Sequence, residues 1–237
     1  THRSAVTGEE YAIPFGMNIL VEAMDRPDFR LACEICEDVW VLDPPSTRHV
    51  LAGATVIANT SASDETVGKD SYRRELIRST SARLVSVYCY ANAGDGESTT
   101  DLVFGGQDII AENGSVVTEG RRFDTGLYIA DVDLQRITQE RARMTTFPEI
   151  DDTLRDAYSI VKFRFTPAAE SVVPETLAGQ LAADAADLRR YVDPKPFVPS
   201  GAAERNARCD EIFTIQALGL KKRLEHTGCQ SAVIGIS

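Results

Sequence analysis

Residues 29–40 read F-R-L-A-C-E-I-C-E-D-V-W, a short apolar run that ends in a cysteine set between acidic residues. Residues 29–35 have the length and side chains of a buried strand. Cys36 then falls where that strand turns out of its sheet. In open α/β sheets the backbone departs at the carboxyl ends of strands and reacting groups converge there, so Cys36 reads as a nucleophile. The pair Cys33-x-x-Cys36 does not suit a redox or zinc site. On a strand, i and i+3 point to opposite faces, and no second thiol pair is present. Cys33 reads as a buried core thiol.

Outward from this strand, helix and strand signals alternate. Residues 17–21 are a preceding strand, joined by a turn at 26–28. Pro44 and Pro45 fix φ and remove donors, so a loop is expected after Trp40, with a short helical turn at 49–52 closed by Gly53. Residues 54–59 form a second apolar strand whose exit carries Thr60, Ser61 and Ser63. Residues 69–83 have helical spacing, 84–90 strand character, and Asn113-Gly114 between apolar runs marks a hairpin. Residues 127–132 read as a strand and 134–144 as an amphipathic helix. Residues 166–200, rich in alanine, acid and proline, read as a linker. Periodicity returns at 202–227, with Gly228 placed as a cap and a strand at 231–236. The pattern is α/β with a mixed sheet.

The 237 residues carry 36 acidic and 25 basic side chains, a formal charge of −11, which disfavours a nucleic acid or an anionic membrane as partner. No apolar run is long enough to span a bilayer. Five cysteines in no framework spacing suit a reducing compartment, and a cytoplasmic location is expected. The chain starts on Thr1 and stops after V-I-G-I-S, so it reads as a fragment.

A cysteine nucleophile is usually activated by histidine. His2, His49 and His226 offer no evident Cys-His arrangement. Glutamate as base with lysine as oxyanion partner is the other possibility. Several segments in series resemble one family: E-I-C-E-D-V-W, P-P-S and N-T-S-A-S-D-E-T-V-G-K; then S-A-R-L-V-S-V-Y-C-Y-A-N-A-G-D-G-E-S-T-T-D-L-V-F-G-G and I-A-E-N-G; finally P-F-V-P-S, E-I-F-T-I-Q-A-L-G-L-K-K-R-L-E-H-T-G and V-I-G-I-S. They resemble the glutamine-dependent NAD synthetases, whose glutaminase domain is nitrilase-like. The likeness covers nearly the whole chain and is weakest over residues 147–193.

The resemblance implies a partial nitrilase-type αββα sandwich over residues 1–165 and a linker over 166–200. Residues 201–237 would hold the first helix and strand of an ATP pyrophosphatase-type, Rossmann-like synthetase domain. It implies that Cys36 attacks the carboxamide of glutamine, releases ammonia and leaves a glutamyl thioester. Glu37 would donate its backbone N–H to the oxyanion. Ser63 and Lys69 would hold the α-amino and α-carboxylate ends of glutamine. Trp40 fits a pocket wall or core packing. Gly235, Ile236 and Ser237 would be the threshold of the phosphate-binding loop. The implied partners are glutamine, nicotinate adenine dinucleotide, ATP with Mg2+, and further copies of the protein in a homo-oligomer.

Glu34, Glu37 and Asp38 work against a thiolate at Cys36, so a lysine must offset them. In the family that lysine and the catalytic glutamate lie upstream of the nucleophile; Glu9, Glu10 and Glu22 do not match the glutamate, and the first lysine here is Lys69. The expectation is that this polypeptide alone shows neither glutaminase nor ATP-dependent activity. A free-standing nitrilase-type amidase and a non-catalytic interaction fragment are the alternatives.

Overall fold

A computed structural model describes residues 2–3, 8–97, 101–165, 188–196, 198, 201–231, 233 and 235. The chain divides into two compact units, Thr1–Arg190 and Tyr191–Ser237.

In the first unit the elements run β1 (His2–Arg3), β2 (Glu10–Tyr11), β3 (Ile19–Ala23), β4 (Arg30–Ile35), a 3-10 turn (Cys36–Trp40), α1 (Pro45–Leu51), β5 (Val56–Ser61) and α2 (Lys69–Leu84). They continue with β6 (Val87–Asn92), β7 (Ile109–Glu112), β8 (Ser115–Glu119), α3 (Leu134–Arg143), α4 (Asp152–Arg155) and β9 (Ser159–Phe163). Among the described residues, seven strands form one sheet in the order β8-β7-β6-β5-β4-β3-β9, and β1 pairs with β2 apart from it. The centre, β4-β5-β6, is parallel. Strands β3, β7 and β8 run antiparallel to their neighbours β4, β6 and β7 respectively, and β9 lies parallel to β3. This is a mixed α/β sheet, as the alternation of helix and strand signals requires.

Side-chain alternation along the strands divides the core in two. One face buries Leu20, Ile57, Tyr88 and Ile109 with Val50 of α1 and Ile77 and Leu84 of α2. Burying a side chain such as Ile57 or Ile77, each fully covered, is worth about 1.5–3 kcal/mol. On the other face Val56 and Val87 pack with Leu134 and Ile137 of α3. Helix α3 starts where the Asp133 side chain accepts from the Arg136 N–H at 2.9 Å, an N-cap that satisfies one orphan donor.

Several expectations change. Cys33 is exposed rather than buried, because α3 packs over Leu31, Val56 and Val87, and towards the strand exits the same face leaves Ile35, Thr60 and Ala91 exposed as well. The loop expected after Trp40 spans residues 41–44 and ends on the extended Pro44, but the helical turn expected at 49–52 starts earlier: Pro45 opens α1, where a missing N–H costs nothing and a fixed φ helps. Residues 127–132 form no strand and β8 is the edge of the sheet; the Arg121 N–H donates to the Tyr128 hydroxyl, the Asp131 N–H donates to the Arg189 carbonyl, and the Arg189 N–H donates to the Asp131 carboxylate. Strand β9 and helix α4 were not expected. The hairpin is as expected: Asn113 and Gly114 have φ of 44° and 85°, the left-handed pair that a tight hairpin needs.

In the second unit, α5 (Ala202–Thr227) ends at Gly228, whose φ of 63° lets the Cys229 N–H return to the Leu224 carbonyl. Of the strand expected at 231–236, residues 231, 233 and 235 are described and lie in no strand; the others lie outside the described residues. Most of the expected linker, residues 166–187, also lies outside them.

Candidate active site

Strand β4 ends at Ile35, whose N–H is taken by the Asp38 carboxylate at 2.8 Å, and the next residue, Cys36, has φ of 50°. A non-glycine residue in the left-handed region costs about 1–2 kcal/mol, and such outliers collect at sites where the surroundings enforce them. Here Asn59 of β5 bonds both polar groups of the Cys36 backbone: its Oδ1 accepts the Cys36 N–H at 3.0 Å and its Nδ2 donates to the Cys36 carbonyl at 3.3 Å. The Cys36 side chain is half-buried and lines a cavity of about 390 Å³ together with Glu37, Trp40, Ala62, Ser63, Asp64 and Lys69. The two strand exits, β4 and β5, and the start of α2 therefore converge on the thiol.

Ser63 is buried and held on three sides. Its N–H donates to the Asn92 carboxamide at 2.8 Å, its carbonyl accepts from the Asn92 amide at 3.2 Å, and its Oγ accepts from Arg73 at 3.2 Å. Since Arg73 can only donate, the Ser63 hydroxyl proton turns to another acceptor, and the buried Tyr90 phenol oxygen is one within reach. Lys69, the first residue of α2, donates to Asp64 at 2.6 Å and lies 5.9 Å from the centroid of the Trp40 ring. The Lys69 ammonium holds the Asp64 carboxyl below its ordinary range. Trp40 takes both of the roles open to it: one part packs on the core and against Tyr72, ring centroids 5.3 Å apart, and another faces the cavity. Glu37 is exposed, and its backbone N–H belongs to the first turn of the 3-10 segment, whose leading N–H groups have no partner within the turn.

One reading of local charge is corrected. Glu34 does not flank the thiol: its carboxylate is buried, accepting the Ser46 N–H at the start of α1 at 2.8 Å and a short bond from the Tyr88 hydroxyl. Burial, then the Glu34 charge, pushes the Tyr88 phenol far above its ordinary value, so it stays a neutral donor. His49, although buried nearby, is committed to the Tyr158 hydroxyl at 2.8 Å and the Cys33 carbonyl at 3.1 Å, and burial lowers its pKa. It is no base for Cys36.

Asn59, Tyr88, Arg73 and Asp64 were not singled out from the sequence, although all four belong to the cavity or to the bonds behind it. Of the residues expected near a nucleotide, Gly235 is described and has open space where a Cβ would stand, while Ile236 and Ser237 lie outside the described residues. Among the described residues no cluster of three His, Cys, Asp or Glu side chains could hold a metal ion, and no helix is long and apolar enough to cross a membrane.

The site is thus a half-buried cysteine at a strand exit of a mixed α/β sheet, with His49 committed to other partners. By sequence the chain is similar to the glutamine-dependent NAD(+) synthetases. It is 40% identical over 233 residues to that of Mycobacterium bovis, covering 95% of this chain and 32% of the relative. It is 39% identical over 229 residues to that of Mycobacterium leprae, covering 94% and 32%, and 25% identical over 212 residues to that of Thermotoga maritima, covering 89% and 32%. The chain thus spans about a third of the length of the curated relatives it matches. No family model matches. Among solved structures, a glutamine-dependent NAD(+) synthetase from Cytophaga hutchinsonii aligns at a TM-score of 0.37 and 30% identity, over 44% of this chain and 16% of that one. An amidase of the nitrilase superfamily from Nesterenkonia aligns at 0.39 and 22%, over 49% and 43%.

Proposed function

We propose that the chain carries the glutaminase nucleophile of a glutamine-hydrolysing NAD synthetase. The observation that carries this is the cavity that Cys36, held in a left-handed turn, lines together with Ser63 and Lys69. The Cys36 sulfur attacks the carboxamide carbon of glutamine, and the oxygen takes the charge in front of the Glu37 N–H. The carbon–nitrogen bond breaks, ammonia leaves with the proton supplied by the general acid, and a glutamyl thioester remains. Water cleaves it to glutamate and restores the thiol. The resemblance assigns the proton transfers to a glutamate and a lysine upstream of the nucleophile.

Lys69 is suited to the α-carboxylate, and the Ser63 Oγ, lining the same cavity, can accept from the α-ammonium. Asp64, kept ionised by Lys69, is suited to the α-ammonium. The cavity thus offers both signs of charge, as an amino-acid substrate needs. In the whole protein the ammonia would amidate nicotinate adenine dinucleotide to NAD at the expense of ATP with Mg2+. All five cysteines are free thiols, which supports a reducing, cytoplasmic setting. The resemblance also suggests a homo-oligomer; size-exclusion chromatography with light scattering tests that.

In a protein of the relatives' full length, Cys36→Ala should lower glutamine-driven NAD formation at least about a thousandfold and leave formation driven by added ammonium intact. Glutamine-driven synthesis that survives Cys36→Ala refutes the reading.

A further inference from the structure

We propose that Asn59 is a positioning residue for the Cys36 nucleophile, fixing the direction of its thiol by bonding both polar groups of the Cys36 backbone. The inference rests on the glutaminase reading and adds a residue to it. The orientation of the amide is settled by its partners: the atom facing the Cys36 N–H must accept and the atom facing the Cys36 carbonyl must donate. Oδ1 also accepts the Ser61 hydroxyl at 2.7 Å, and Nδ2 also donates to the Tyr88 hydroxyl at 3.2 Å. Tyr88 can accept that bond because its own proton goes to Glu34, whose second oxygen is held by the Ser46 N–H. All the bonding capacity of the amide is therefore used, inside a buried and satisfied network that has one arrangement.

Packing does not explain the choice of asparagine. Position 59 is 1% exposed and points to the same sheet face as Ile57, with Tyr88 and Tyr90 on the next strand. An amide there is costly unless every bond is made, and a leucine would fill the space without that demand. What asparagine supplies is a donor and an acceptor aimed at one peptide unit on the neighbouring strand. Cys36 sits at φ of 50°, a conformation that would relax without an external hold, and relaxation would swing Cβ and the sulfur away from Ser63 and Lys69. A displacement of about 1 Å at a reacting atom costs on the order of a hundredfold in rate.

The test uses the full-length protein with Asn59→Leu, which fills the volume, and Asn59→Asp, which keeps the shape and the acceptors but loses the donor. Each is assayed for glutamine turnover and for labelling of Cys36 by two reagents: a diazoketone analogue of glutamine, which needs an oriented thiol, and iodoacetamide, which does not. The expected result for Asn59→Leu is a fall of about a hundredfold in kcat and in diazoketone labelling, with KM for glutamine and iodoacetamide labelling within about threefold of wild type. Asn59→Asp should fall between. Equal losses with both reagents, or a rise in KM at unchanged kcat, overturn the proposal. If instead wild-type Cys36 shows no preference for the diazoketone, the glutaminase reading itself has failed, which is a different result.

Discussion

Replacing Arg73 by methionine tests how the cavity is supported. The Arg73 side chain is fully covered, with an ion pair to Glu65 at 2.8 Å and bonds to Gln107 at 2.6 Å, Ser63 Oγ at 3.2 Å and the Asp64 carbonyl at 3.3 Å. Glu65 is nearly as deep, its side chain 7% exposed. Removing one member of a buried pair costs about 3–5 kcal/mol, because the other is left charged and dry. Arg122, 3.6 Å from the second Glu65 oxygen, can compensate part of the loss, so the low end, about 3 kcal/mol, applies. For a domain of this size that is a fall in Tm of about 6–12 °C. Calorimetry of wild type, Arg73→Met, Glu65→Gln and the double variant would measure it. The double variant should be more stable than the sum of the single changes predicts, by about 1 kcal/mol or more, since it leaves no orphaned charge. Gly105→Ala should act in the same direction, because a Cβ there would stand 2.7 Å from the Glu65 Cδ. A Tm within 2 °C of wild type for Arg73→Met, or strict additivity, would refute the reasoning.

His49 and the hairpin give two further tests. Burial lowers the His49 pKa below its ordinary 6.5, so the folded protein binds this proton less readily than the unfolded chain. Stability is then complete above the unfolded value and is lost as pH falls through and below it. The stability gap between wild type and His49→Phe, from urea midpoints at pH 7, 6 and 5, should narrow toward acid; a constant gap rejects the assignment. Gly114→Ala meets both a φ of 85° and a Cβ contact of 2.9 Å with Ala82, so it should cost about 1–2 kcal/mol or more. Gly96→Ala, at φ of 84° with open space around it, should cost only the backbone part, and equal effects would show that the contact does not matter.

Elements with a local signature were legible. Strand β4 has its apolar run, the β7-β8 hairpin its Asn-Gly, α3 its amphipathic period and α5 its Gly228 cap. What escaped depends on partners distant in sequence. Residues 127–132 are as apolar as a strand needs, but among the described residues no strand pairs with them. Residues 159–163 form β9 because β3, some 140 positions earlier, has an open side for them, with Ile19 opposite Ser159 and Ala23 opposite Phe163. Strand propensity is permissive, and an available edge decides.

The same distinction runs through the site. Cys36 stood out locally, because a strand exit is where a reactive group can stand clear of the ladder; Ser63 and Lys69 came from the resemblance, and the fold brings them to the same cavity as Cys36. The support behind them was not legible, because charge was counted along the chain rather than across the sheet. Strand alternation already puts Glu34 on the face of Ala32 and Asn59 on the face of Ile57, both core-facing, and the register sets Glu34 opposite Asn59. A carboxylate and an amide side by side on an apolar face are tolerable only if they share a complete set of partners. Tyr88 and Ser46 complete the set for Glu34, and the Cys36 backbone and Ser61 for Asn59. Polar residues at core-facing positions beside a candidate nucleophile therefore mark the machinery that holds it, and they do so from the alternation of the strand alone.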